Sequence, residues 1–203
     1  MIISCIGDSL TEGDYGVYGK SGIANVHSEN YPFFLSKLSG TEVRNFGKCG
    51  YTSTSILKYY NDGNIDVKGS DIILIMLGTN GGLDPDKDVQ GNAEYLEIIN
   101  KCKTDAPDAK IVLCTPPHAT ENPSMSNCGY AQRVNNAVAW TRKTAQKLGL
   151  YLVDVALQIS NIRDDQVDTQ HIIRRKCKTA VYHYNGVLIL KCGNVHTDLL
   201  QTA

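Results

Sequence analysis

A serine hydroxyl can attack an acyl carbon when a base takes its proton and donors receive the developing oxyanion. Ser9 is placed for such work, because Gly7-Asp8-Ser9-Leu10 directly follows the apolar run Ile2-Ile3-Ser4-Cys5-Ile6. Ligands of parallel α/β folds bind beyond the carboxyl ends of the strands. By itself Gly-Asp-Ser also reads as an ordinary turn, since all three are common turn residues. Two later stretches add weight. Asn45-Phe46-Gly47-Lys48-Cys49-Gly50-Tyr51-Thr52 closes a second strand-like run, and Leu77-Gly78-Thr79-Asn80-Gly81-Gly82 closes a third. In a parallel sheet these ends emerge on one edge, which brings Ser9, Gly50 and Asn80 toward one another. The backbone N–H groups of Ser9 and Gly50 and the side-chain amide of Asn80 are donors of the kind a tetrahedral oxyanion needs.

The elements that must position these residues read as alternating strands and helices. Strand-like runs cover Ile2–Gly7, Glu42–Gly47, Asp71–Gly78, Lys110–Pro116 and Leu150–Val155. The third is apolar on both faces, which suits a central parallel strand covered on each side. Helical patterns cover Ser28–Leu38, Val89–Lys103 with Leu96, Ile99 and Lys103 on one face, and Gly129–Leu148 with Val134, Ala137, Val138, Thr141, Ala145 and Leu148 on one face. This alternation predicts a three-layer α/β/α fold around a central, about five-stranded parallel sheet. With 203 residues, one domain over 1–203 is expected. Its 162–203 region is atypical, with a polar stretch, a basic Arg174-Arg175-Lys176 and no amphipathic helix.

The formal net charge is −1, which gives no electrostatic case for nucleic acid or an anionic membrane. No signal peptide or membrane span is evident. The seven cysteines include no Cys-x-x-Cys pair, so a zinc or redox motif is not expected, and free thiols in a reducing cytoplasm are. No phosphate-binding glycine loop follows the first strand, which argues against a flavodoxin-like nucleotide binder.

The three blocks, in this order and after these strands, resemble the SGNH (GDSL-type) hydrolase family over about residues 1–160. Gly7-Asp8-Ser9-Leu10 is similar to its nucleophile block, Gly50 to its glycine block and Gly78-Thr79-Asn80 to its third block. The resemblance implies a flavodoxin-like fold, Ser9 as nucleophile, and an oxyanion hole of Ser9, Gly50 and Asn80. It implies no metal or organic cofactor. Gly81 stands where the family usually has Asp. Gly13-Asp14-Tyr15-Gly16, Arg44-Asn45-Phe46-Gly47 and Cys114-Thr115-Pro116-Pro117-His118 look like the carbohydrate or sialate O-acetylesterase branch. That likeness implies small O-acyl, chiefly acetyl, esters on carbohydrate as substrates. Asp8 and His118 are candidate substrate-binding residues. Tyr15, Tyr18 and Tyr51 are available to stack on sugar rings or simply to pack.

The family supplies its base and orienting acid as Asp-x-x-His near the C-terminus. The literal match here is Asp168-Thr169-Gln170-His171, so His171 is the preferred base and Asp168 its orienting carboxylate. His196 and His183 are alternatives, as is a chain with no working base. In that last case the protein would bind a carbohydrate or acylated ligand without turnover.

Overall fold

The computed structural model describes residues 1–13, 30–118 and 129–160. Five strands form one sheet: β1 (Ile2–Gly7), β2 (Glu42–Gly47), β3 (Ile72–Met76), β4 (Lys110–Cys114) and β5 (Tyr151–Val153). Their spatial order is β2-β1-β3-β4-β5, and every neighbouring pair is parallel. This is the doubly wound order of flavodoxin-like folds, with the chain reversing direction across the sheet next to β1. The register aligns Gly7 with Gly47 on one side and with Met76 on the other. The carboxyl ends of β1, β2 and β3 therefore finish level.

The helices are α1 (Ser9–Glu12), α2 (Tyr31–Ser39), α3 (Ser53–Asn61), α4 (Gln90–Asp105), α5 (Tyr130–Leu148) and α6 (Val155–Ser160). One face of the sheet packs Ile6, Ile73, Ile75, Ile111 and Leu113 against α3, α4 and α5. The other packs Ile3, Cys5, Ile72, Met76, Val112 and Cys114 with Leu35 of α2. β3 contributes to both, as its unbroken apolar sequence requires.

Several boundaries and faces differ from the sequence reading. α2 starts at Tyr31 because Asn30 caps it, accepting the Phe33 N–H at 2.8 Å, with Pro32 in the first turn. α4 buries Tyr95, Ile98, Ile99 and Cys102, while Leu96 is exposed. Tyr95 can face the core because its hydroxyl donates to the Ile75 carbonyl at 3.1 Å. Cys5, Cys102 and Cys114 are core residues, and Cys49 is exposed. Among the described residues no helix is long and apolar enough to cross a membrane. The 162–203 region lies outside them.

α1 lies against the end of β2 so closely that only glycine fits at 47. A Cβ there would stand 2.1 Å from the Glu12 backbone nitrogen and 2.6 Å from the Thr11 carbonyl carbon. These are main-chain atoms and cannot rotate away. Gly47→Ala is expected to cost about 2 kcal/mol or more, at or above the usual range for overpacking. A urea midpoint equal to that of the wild type would contradict this close packing.

Candidate active site

The β1–α1 connection is a single residue, Asp8, which caps α1. Its Oδ1 accepts the Leu10 N–H at 3.0 Å. Its carbonyl accepts the N–H groups of Thr11 and Glu12 at 3.0 and 2.9 Å, and the Ser9 carbonyl accepts Gly13 N–H at 2.9 Å. None of these bonds uses the N–H of half-buried Ser9, so among the described residues that donor remains available beside its own hydroxyl.

Gly50 sits in the turn 48–51 that follows β2. Lys48 N–H donates to the Gly7 carbonyl at 3.0 Å, and Tyr51 N–H closes the turn on the Lys48 carbonyl at 3.2 Å. Gly50 has φ +74, a conformation that side chains adopt only with strain. Its own N–H takes part in neither bond. Two side-chain contacts join this turn to α1. Glu12 Oε1 accepts from Lys48 Nζ at 3.0 Å, and Glu12 Oε2 accepts the Cys49 N–H at 2.6 Å. A third runs from Asn45, whose Nδ2 donates to the Thr11 carbonyl at 2.8 Å.

Asn80 lies in a second turn beyond β3, closed by Gly81 N–H on the Gly78 carbonyl at 3.0 Å. Its Nδ2 donates to the Tyr51 carbonyl at 3.0 Å. That bond spends one amide hydrogen and leaves the other. The Ser9, Gly50 and Asn80 segments are thus joined by direct contacts at one sheet edge, with three donors unspent among the described residues. Gly81, where an Asp was expected, has φ +87, and a Cβ on it would stand 3.5 Å from Arg133 Cδ. Backbone strain accounts for glycine at this position.

Asp8, a candidate substrate-binding residue, is fully buried, and its Oδ1 caps α1. Its Oδ2 is buried and unpartnered, as is the nearby Thr79 Oγ1. Desolvation raises the Asp8 pKa to about 6, against smaller opposing contributions from the Leu10 N–H and the Thr79 hydroxyl. Thr79 is near enough to ease the charge without reaching hydrogen-bond geometry. Protonation would let Oδ2 donate to Oγ1 and relieve both atoms. A folded-state pKa above the ordinary 3.8 means the native chain binds more protons than the unfolded one between about pH 4 and 6. Stability from this group therefore falls as pH rises through that window, by about 3 kcal/mol in all. Asp8→Asn keeps a capping oxygen and cannot ionise. The melting temperature of this variant relative to wild type is expected to climb from pH 4 to pH 6.5. A flat difference would refute the buried, ionising Asp8.

His118 is the one histidine among the described residues. It is exposed, and its Nδ1 lies 3.0 Å from Asn135 Oδ1. Asp168, His171, His183 and His196 lie outside the described residues, as do Tyr15 and Tyr18. Among the described residues, no group of three or more His, Cys, Asp or Glu side chains is placed to hold a metal ion. The sequence reading missed Glu12. An acid in the first turn of a helix is common enough to pass unnoticed, and only the fold brings Lys48 and Cys49 to it.

The family model described as GDSL-like Lipase/Acylhydrolase matches residues 5–185. Among curated proteins, no sequence matches the chain. Among solved structures, Est24, a carbohydrate acetylesterase from Sinorhizobium meliloti, is similar with TM-score 0.66 and 16% identity over 92% of this chain and 99% of that one. The native M. smegmatis aryl esterase is similar with TM-score 0.66 and 20% identity, over the same shares. A second Sinorhizobium meliloti structure, a carbohydrate acetylesterase family member, gives TM-score 0.62 and 20% identity over 91% of this chain and 99% of that one. At such identities these likenesses establish the fold.

Proposed function

Because the chain belongs to the GDSL-like lipase/acylhydrolase family, and is an ester hydrolase of that kind, we propose that Ser9 is its nucleophile. The Ser9 N–H, the Gly50 N–H and Asn80 Nδ2 receive the oxyanion. The observation that carries this reading is the Asn80–Tyr51 bond together with the Glu12–Cys49 bond. They support it by linking the turn that carries Gly50 to Asn80 on one side and to the helix that begins with Ser9 on the other.

Ser9 Oγ adds to the ester carbonyl carbon while a base takes its proton, and the carbonyl oxygen becomes an oxyanion between the three donors. Collapse expels the alcohol, which takes the proton from the base, and leaves an acyl-Ser9. Water, deprotonated by the same base, attacks that carbonyl, and the second collapse frees the acid and restores Ser9. By family pattern the base is His171, oriented by Asp168. The wider reading takes small O-acyl groups on carbohydrate as substrates, with His118 lining the pocket. The printed description of Est24 supports this substrate class. A cytoplasmic setting belongs to the same reading, supported by the buried thiols of Cys5 and Cys102. The test is hydrolysis of p-nitrophenyl acetate and of an O-acetylated sugar by the wild type and by Ser9→Ala. Equal rates for the two proteins would end the assignment of Ser9, and release of nitrophenol without sugar deacetylation would end the carbohydrate reading.

A further inference from the structure

The turn that carries Gly50 is packed at its ends, where Tyr51 lies edge-on to Tyr59 against the core and Lys48 Nζ sits over the Tyr59 ring, but not at its middle. Gly50 and Cys49 are exposed, and a Cβ added at Gly50 would touch nothing within 4 Å. Hydrogen bonds fix the main chain of the turn along its length. Its first residue is pinned to β1 by Lys48 N–H on the Gly7 carbonyl, and its last is pinned to the third block by Asn80 Nδ2 on the Tyr51 carbonyl. Its middle is gripped by Glu12, through the Cys49 N–H at 2.6 Å and Lys48 Nζ at 3.0 Å.

Glu12 is suited to hold still. It is 8% exposed, and a buried carboxylate is tolerable only when its oxygens are bonded or paired. Here both oxygens are spent on one turn. The bond to Glu12 is also the main reason the Lys48 ammonium is held above its ordinary pKa. The Glu12 main chain is fixed in turn. Its N–H donates to the Asp8 carbonyl at 2.9 Å, its carbonyl accepts from Asn30 Nδ2 at 3.0 Å, and Gly47 packs against its backbone. The carboxylate thus projects from the same four-residue helix that begins with Ser9, and it ends on the amide one residue before Gly50.

We propose that Glu12 is a positioning residue for ester hydrolysis: a buried carboxylate that clamps the turn 48–51 to α1 and so fixes the Gly50 N–H relative to the Ser9 hydroxyl. The proposal deepens the serine-esterase reading and rests on it. Oxyanion donors are effective because they are already in place when charge develops, and displacement by about 1 Å can cost on the order of 10²-fold. Loosening the clamp should therefore act on kcat and leave ground-state binding largely alone.

The test uses the full chain with Glu12→Ala, Glu12→Asp and Glu12→Gln, assayed on p-nitrophenyl acetate beside thermal melts. Glu12→Ala is expected to lower kcat by about 10- to 10²-fold with KM within about twofold. Glu12→Asp keeps the charge but withdraws the oxygens by one methylene, and should lose kcat similarly. Glu12→Gln keeps an acceptor for the Cys49 N–H and should stay within about threefold of wild type, a rescue that loss of charge alone would not give. A wild-type kcat for folded Glu12→Ala or Glu12→Asp overturns the proposal. So does an equal loss in Glu12→Gln, or a loss in which KM rises in step. If Glu12→Ala does not fold, Glu12→Asp and Glu12→Gln decide the matter between them. Amide hydrogen exchange at Cys49, whose N–H Glu12 accepts, needs no turnover. Faster exchange confined to this turn in Glu12→Asp supports the clamp, and unchanged exchange overturns it. Hydrolysis that survives Ser9→Ala would instead end the assignment of Ser9 and leave the clamp to be judged by exchange.

Discussion

Ser9→Ala is expected to lower kcat for p-nitrophenyl acetate by about 10⁴-fold or more, the scale seen when a serine nucleophile is removed from a hydrolase. The structure gives reason to expect a chemical effect and little structural one. Ser9 is the first residue of α1, but the cap is made by Asp8, whose Oδ1 accepts the Leu10 N–H. The Ser9 contribution to the helix is its carbonyl, which accepts the Gly13 N–H at 2.9 Å and which alanine supplies equally well. Alanine is also a good residue for a helical position. The melting temperature should stay close to that of the wild type while the activity disappears. The intermediate offers a second check. Wild type mixed with an activated phosphonate should carry the adduct on Ser9, found by mass spectrometry of the peptide containing it, and Ser9→Ala should carry none. A folded Ser9→Ala that hydrolyses ester at the wild-type rate would remove Ser9 from the mechanism.

The strands were legible because their residues say one thing at every level. β1, β3 and β4 are short runs of apolar, largely β-branched residues that end at glycine or proline-rich turns. The loops that carry Ser9, Gly50 and Asn80 were legible for the same reason, since each follows such a run. α3 was not read, although Ser53, Ile56, Leu57 and Tyr60 fall on one buried face. At nine residues it spans few turns, and its β-branched and aromatic residues weaken a helical pattern. The helical spacing that groups Leu96 with Ile99 and Lys103 does not mark the buried face of α4. The fold buried Tyr95 instead, one position and about 100° away, once its hydroxyl had a carbonyl to bond. The burial of Asp8 follows from the tightness of the β1–α1 connection and could be known only from the fold. The Glu12 clamp depends on residues 36 and 37 positions further along, a separation over which local sequence carries no signal.

Asn80→Ala is expected to lower kcat by about 10² to 10³-fold, the range for loss of one oxyanion donor. The argument rests on how the amide is held. Asn80 is exposed, so packing does not fix it. Its bond to the Tyr51 carbonyl at 3.0 Å fixes one N–H direction, and the planar geometry of the amide then fixes the other. Alanine would remove the donor and also release the far end of the turn that carries Gly50. Asn80→Asp separates these effects. It keeps the side-chain shape but has no N–H to give to the Tyr51 carbonyl or to an oxyanion, and it places a negative charge where negative charge develops. It should therefore be at least as damaging as alanine. KM should change little in either variant, because a neutral ester oxygen asks less of the donor than the oxyanion does. Stability should fall only modestly, because an exposed side-chain bond is worth about 1 kcal/mol. If Asn80→Ala keeps its kcat, the third donor is not Asn80. If Asn80→Asp outperforms Asn80→Ala, charge at this position does not oppose the reaction, and the oxyanion does not form there.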